Sequence, residues 1–265
     1  MKKFDIKKIG IILAIVVVLV LAIFLIGKAI KGGSVDKNDL KKYEDYVVNY
    51  YMNLTAGYNT SYNGLEALYA SDETTMENVT DKQLITVAID YITKSGINTS
   101  VDYATMIAIY ENKYPEIKDA LLYNAEDIRK GIKELFGITE FANPTIKGDI
   151  TNLSNYTYLA EEDIYIISSG DLSQSVVSKT QSMDYSVIGT EVKSGKIVTT
   201  VAIAYRDFNG KTYIYASDRY GEKIVAEEVS KFPTDKIDKF DKYEFTLSKT
   251  KDGKKYVFES VKKVK

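Results

Sequence analysis

The apolar positions of this chain follow three different rules in succession. From Ile9 to Gly27 they form a continuous run in which no residue is charged. From about residue 40 to 143, apolar residues recur at spacings of three and four, as on one face of a helix. From about residue 144 onward they alternate with polar residues, the period of a strand. The pattern predicts an α+β chain: an N-terminal transmembrane helix, then a helical layer, then a C-terminal antiparallel meander sheet. The expected divisions are 1–31 (cytoplasmic tip and anchor), 32–39 (a hinge at Gly32-Gly33-Ser34), 40–143 (helices) and 144–265 (β region packed with the helices).

The first run has the length of a membrane span. Nineteen residues at about 1.5 Å each come to roughly 28 Å, close to a bilayer's hydrocarbon thickness. Ile9, Ile12, Val16, Leu19, Ile23, Phe24 and Gly27 are spread along it. A cleaved signal peptide would have an apolar core of about 7–15 residues ending at a small-x-small site. Here the run ends Ile26-Gly27-Lys28-Ala29-Ile30-Lys31 instead. Four lysines precede the run and Lys28, Lys31, Lys37, Lys41 and Lys42 follow it, so the flanking charge is nearly balanced. Large following domains are translocated despite such charges. The expectation is a single-pass cell-membrane protein, N-inside, with membrane lipid as one partner and the body extracellular.

Helix signals come next. Asp36 or Asn38 can cap a first helix. Its Leu40, Tyr43, Val47, Tyr50 and Leu54 make an a/d seam of about two heptads. Leu40, Val47 and Leu54 are the positions for a weak homodimer. A helix packed on its own domain is the simpler reading, since a coiled coil needs about three to four heptads. Residues 57–80 are polar, with room for a short helix around Leu65–Tyr69. Thr80-Asp81-Lys82-Gln83 matches a capping box. The helix it opens carries Leu84, Ile85, Ala88 and Ile92 on one face, and Gly96 stops it. Ser100 can cap another through Val101, Ala104, Ile107 and Ala108. Tyr114-Pro115 breaks that one, and Pro115 suits the first turn of the next. The last helix carries Ile128, Ile132, Leu135 and Phe136 and ends at Gly137.

In the strand half, Asp163–Ser168 reads as a strand. Met183–Val192 and Lys196–Arg206 are joined by the hairpin signal Ser194-Gly195. The second presents Ile197, Val201, Ile203 and Tyr205 on one face and Val198, Ala202 and Ala204 on the other, as a central strand would. Asn209-Gly210 predicts a type I′ turn into Lys211–Ser217. Tyr243–Leu247 pairs with Tyr256–Glu259 across Asp252-Gly253. Tight turns between successive strands make the sheet antiparallel, with about five to seven strands.

Charge sharpens this picture once it is split. Residues 1–32 hold six lysines against Asp5, which leaves 29 basic and 36 acidic residues beyond them, a net of −7. An acidic body lacks the positive footprint that holds a phosphate backbone, so no nucleic-acid partner is expected. There is no cysteine and no histidine. Disulfides, thiolate metal sites and imidazole acid–base chemistry are therefore excluded. Arg129, Arg206 and Arg219 are the only arginines among 35 basic residues.

Three strings match a serine acyl-transferase of the penicillin-binding kind: Ser34-Val35-Asp36-Lys37, Ser61-Tyr62-Asn63 and Lys193-Ser194-Gly195. Their placement argues against it. Ser34 lies in a hinge, and Lys193-Ser194-Gly195 reads as a hairpin turn, not as a strand edging a cleft. Glu161-Glu162-Asp163 is the densest acidic run, but nothing matches a calcium loop. No catalytic residue, cofactor or metal is assigned. The remaining oddity is 22 tyrosines with no tryptophan. Tyr156 with Tyr158, and Tyr213 with Tyr215, each share a strand face. An apolar ring with a polar tip suits a grip on glycan or protein; core packing and strand propensity explain the same residues.

Two stretches carry a resemblance. One is Asp127-Ile128-Arg129-Lys130-Gly131-Ile132-Lys133-Glu134-Leu135-Phe136-Gly137. The other runs from Tyr156-Thr157-Tyr158-Leu159 through Asp163-Ile164-Tyr165-Ile166 to Asn209-Gly210. With the basic N-terminal anchor, they resemble membrane-anchored proteins of low-GC Gram-positive bacteria, which implies location and not chemistry. Helices followed by long hairpins also look similar to NTF2-like or cystatin-like folds, an analogy that carries no function. The leading expectation is a membrane-anchored binding or scaffolding module. A cell-envelope hydrolase using carboxylate or Ser/Lys groups is the alternative, and an accessory subunit of a secretion or conjugation assembly the third.

Overall fold

A computed structural model describes residues 37–52, 68–97, 101, 105, 108–109, 121–147, 154–169, 182–208, 210–218 and 221–265. The contacts divide the chain at Asp39. Leu40–Lys265 make one compact unit; of Met1–Asp39 only the first residues of helix α1 are described. The anchor run Ile9–Gly27, the hinge, Leu54, and the sequences around Ser61 and Tyr114-Pro115 lie outside the described residues.

Helix α1 (Lys37–Tyr46) runs directly into a π-helical segment, Val47–Met52. The wider π turn changes which residues line up. Val47, Tyr51 and Met52 are buried, while Tyr43 and Tyr50 of the expected seam are only half-buried. Val47 therefore packs within its own fold. Helix α2 (Asp81–Lys94) opens on the expected capping box. The Gln83 amide donates to Thr80 Oγ1 (3.2 Å), and the Thr80 amide donates to Gln83 Oε1 (3.0 Å). Its far end closes through Gly96 (φ 66°), with the Ile97 amide on the Ile92 carbonyl. Leu84, Ile85, Ala88 and Ile92 are buried, but so are Val87, Ile89, Thr86 and Asp90. A helix buried nearly all round has neighbours on several sides. Helix α3 (Ala125–Phe136) buries Ile128, Ile132, Leu135 and Phe136, and Gly137 (φ 71°) ends it as predicted. A Cβ on Gly131 would sit 3.1 Å from Ala88 Cβ and from Ile92 Cγ2, so α2 and α3 cross at close range there.

The strands form two antiparallel sheets, not the single expected meander. The larger contains β1 (Glu73–Thr75), β5 (Ser182–Lys193), β6 (Lys196–Phe208), β7 (Tyr213–Ala216), β8 (Ile224–Val229), β9 (Asp241–Lys249) and β10 (Tyr256–Val264). The smaller runs β2 (Leu121–Asn124), β4 (Ile164–Ser169), β3 (Ser154–Leu159). β1 and β2 come from the stretch expected to be helical. With three and four residues, neither is long enough to display a period of two.

β6 organises the larger sheet. β5 pairs along one edge of it, from Lys193↔Lys196 to Ser182↔Arg206. On the other edge β9 pairs with Ile197–Ile203, and β7 takes over from Tyr205 to Phe208. The turns at Ser194-Gly195 and around Gly253 are where the sequence put them. Of the expected Asn209-Gly210 turn, Asn209 lies outside the described residues, but Phe208 pairs with Tyr213, so four positions and not two separate the paired strands. The longer turn places Tyr215, and not Tyr213, opposite Arg206.

One face of the larger sheet is covered by the helices. Tyr51 packs on Phe258 and Phe136, and its Oη donates to the Leu135 carbonyl (2.8 Å). Tyr69 packs on Tyr243 and Phe245. Burying each such large side chain contributes roughly 1.5–3 kcal/mol. The other face is divided. Near β7 and β8, Ala202, Ala204, Tyr215 and Ala226 form a core with Phe232 and Phe240. Towards the β5–β6 turn it carries ion pairs, Lys193 with Glu191 and Glu244 and Lys196 with Glu259. The smaller sheet puts Tyr156 against α2 on one face; on the other, Leu159, Ile164 and Ile166 pack with Ile109.

Candidate functional site

The four tyrosines expected on a ligand surface lie on two different sheets. In the smaller sheet Tyr156 is buried at 4% exposure. Its Oη is 2.7 Å from Thr86 Oγ1, and the Lys82 ammonium sits 5.0 Å from its ring centre. Its neighbour Tyr158 is half-buried and stacks at a tilt on Tyr165. In the larger sheet Tyr215 is wholly buried, between Phe232 and Tyr213. Tyr213 is half-buried, with the Arg206 guanidinium 4.8 Å over its ring and Phe208 5.3 Å away. Phe208 is 58% exposed. Period two was right about which rings share a face, but it did not say which face is core.

Two polar clusters that the sequence reading did not single out are built around these same tyrosines. In the first, Asp163 stands in the β3–β4 turn at φ 51°. Arg129, on α3, grips it with two bonds, Nη1 to Oδ1 (2.8 Å) and Nη2 to Oδ2 (2.6 Å). Tyr158 Oη donates to Oδ1 (2.9 Å), and the Asp163 carbonyl accepts the Ala125 amide at the start of α3 (2.9 Å). The guanidinium holds the Asp163 carboxyl below the usual carboxylate range, and the bonded carboxylate raises the Tyr158 phenol. Glu161 and Glu162 share this turn, with Glu161 exposed.

The second cluster spans three adjacent strands. Asp184 of β5 accepts Arg206 Nη1 of β6 (3.1 Å) and Tyr215 Oη of β7 (2.6 Å), both on Oδ2. Its Oδ1 accepts the Tyr185 amide (2.8 Å). Burial, then the bond to Asp184, pushes the Tyr215 phenol up to about 12. Arg129 thus grips with two parallel bonds and Arg206 bonds while stacking on Tyr213, uses that suit a flat guanidinium better than an ammonium. Their scarcity among the lysines was the one signal in the sequence that could have found these clusters.

Neither cluster presents a catalytic constellation. Each carboxylate accepts three hydrogen bonds from its own chain. Among the described residues no three acidic side chains gather to hold a metal ion. Lys193-Ser194-Gly195 is a hairpin tip, with Ser194 at φ 52° and Gly195 at φ 79°. An open depression of about 560 Å³ beside the β6–β7 turn is lined by Gly210, Lys211, Thr212 and Glu228.

No protein-family model matches the chain, and no match was found among curated proteins or among solved structures. Among the described residues no helix is long and apolar enough to cross a membrane.

Proposed function

We propose that this chain is a binding or scaffolding module tethered to the cell membrane by Ile9–Gly27, N-terminus inside and body outside. The observation that carries the reading is the uncharged nineteen-residue run itself, which as a helix matches the bilayer core. An acidic α+β body of net −7 beyond it supports a folded module rather than a disordered tail. The resemblance to membrane-anchored proteins of low-GC Gram-positive bacteria points the same way. For a binding face, the half-buried Tyr213 with the exposed Phe208 and the stacked Arg206 is the best-supported location. An aromatic pair with one ring open to solvent and a planar cation beside it offers apolar contact and polar direction together.

The test uses the full chain in its own membranes. It is expected to stay with the lipid through alkaline carbonate, and its body is expected to be digested when protease is added to intact protoplasts. Release by carbonate would remove the tether, and a protected body would reverse the orientation.

A further inference from the structure

With no cysteine, tryptophan or histidine, the chain leaves tyrosine and methionine as its readily oxidised side chains. Tyr50, in the π segment, and Tyr91, in the last turn of α2, have ring centres 4.9 Å apart and planes inclined at 75°. Both are half-buried, so both reach solvent. The Lys94 ammonium donates to the Asn49 carbonyl (2.8 Å) and holds the two segments in place beside the rings.

Other described tyrosine pairs lack one of these properties. Tyr43–Tyr256, Tyr158–Tyr165, Tyr69–Tyr243 and Tyr213–Tyr215 each include at least one buried ring. Tyr46 and Tyr50 are 5.0 Å apart but belong to one continuous helical segment, whose backbone fixes their separation. Tyr50 and Tyr91 are close, half-exposed and carried by separate elements.

We infer that Tyr50 and Tyr91 form an oxidative cross-linking site, at which a peroxide acting through one-electron steps couples the two rings into dityrosine. Each phenol loses its O–H hydrogen as a proton and an electron. The two phenoxyl radicals join through ortho carbons, and the ortho hydrogens return to the phenol oxygens on enolisation. The two electrons and two protons reduce one hydrogen peroxide to two waters. A biaryl bond between ortho carbons is twisted, and the steep angle already present between the rings matches that product. The link staples the segment that follows α1 to α2, across the polar stretch between them.

The experiment treats the full chain, in dilute detergent micelles, with a haem peroxidase and hydrogen peroxide. The expected result is dityrosine fluorescence in the monomer band and a proteolytic peptide pair lighter by two hydrogens. Fragmentation should place the link between Tyr50 and Tyr91. Tyr50→Phe and Tyr91→Phe should each lose that linked peptide, and Tyr46→Phe should keep it. A link mapped to any other pair in the unmutated chain, or no intramolecular link at all, overturns the proposal whatever the variants do.

Discussion

The two sheets hold the same three side chains in nearly the same bonding scheme and place them in different surroundings. Asp163 and Asp184 each accept three donated hydrogen bonds, and in each case an arginine and a tyrosine hydroxyl contribute. Around Asp163 the arginine side chain is 32% exposed and the carboxylate 43%. Around Asp184 the carboxylate is 22% exposed, and the tyrosine is sealed under Phe232. The first cluster fastens a turn to a helix. The second ties together β5, β6 and β7 where β7 replaces β9 along the edge of β6. The number of bonds does not set what a polar cluster contributes; what remains unpaired in a dry place after one partner is lost does.

The largest difference should therefore appear when the carboxylate is removed. Asp184→Ala leaves the buried Tyr215 phenol without its charged acceptor, and is expected to cost about 2–3 kcal/mol. Asp163→Ala leaves groups that water can reach, and about 1 kcal/mol is expected, near the upper end for exposed pairs. Urea unfolding of both variants followed by circular dichroism measures this. Equal losses would show that burial does not separate the clusters.

Removing only the hydroxyl is gentler. Tyr215→Phe keeps the ring in its core and deletes a bond to a charged acceptor, at an expected cost of about 1.5–2 kcal/mol. Tyr158→Phe should cost about 0.5 kcal/mol, since water can take the place of its hydroxyl. The pH dependence separates the two further. The Tyr215 phenol is raised from about 10 to about 12 in the fold. A raised value stabilises the fold fully below the unfolded value, and that part is lost as pH rises through the folded one. Unfolding midpoints compared at pH 8 and near pH 11 should thus fall less for Tyr215→Phe than for the unmutated chain. An identical alkaline decline in both would remove Tyr215 from the account.

Much of this arrangement was legible from local sequence. The Thr80–Gln83 box, the stops at Gly96 and Gly137, and the turns at Ser194-Gly195 and Gly253 depend on nearby residues, and they lie where expected. The two faces of β6 followed from simple alternation. What escaped depends on partners far along the chain. β1 is a strand only because β10 lies beside it, and β2 only because β4 does. The division into two sheets escaped for the same reason, since a period of two marks a strand without naming its sheet. The tyrosine pairs show the limit most directly. Tyr213 and Tyr215 alternate as a surface grip would, yet Phe232 and Phe240, from the connection after β8, turn one of them into core.

The smallest expected effect lies at acid pH and belongs to the smaller sheet. Arg129 holds the Asp163 carboxyl below its ordinary value near 4, so this group favours the fold above that value. The contribution fades as pH falls through the lower, folded value, where protonation takes the charge that the guanidinium grips. Asp163→Asn should therefore flatten the acid limb of a stability profile measured between about pH 5 and 2, while lowering the plateau only slightly. The half-exposed setting keeps the effect to a fraction of a kcal/mol, because water and salt screen the pair. Raising the salt concentration should shrink the difference between Asp163→Asn and the unmutated chain. A difference that survives high salt would mean that Asp163 holds the turn through the geometry of its bonds to Arg129 and Tyr158 more than through screenable charge, because the Asp163 carbonyl on the Ala125 amide is a bond that asparagine keeps.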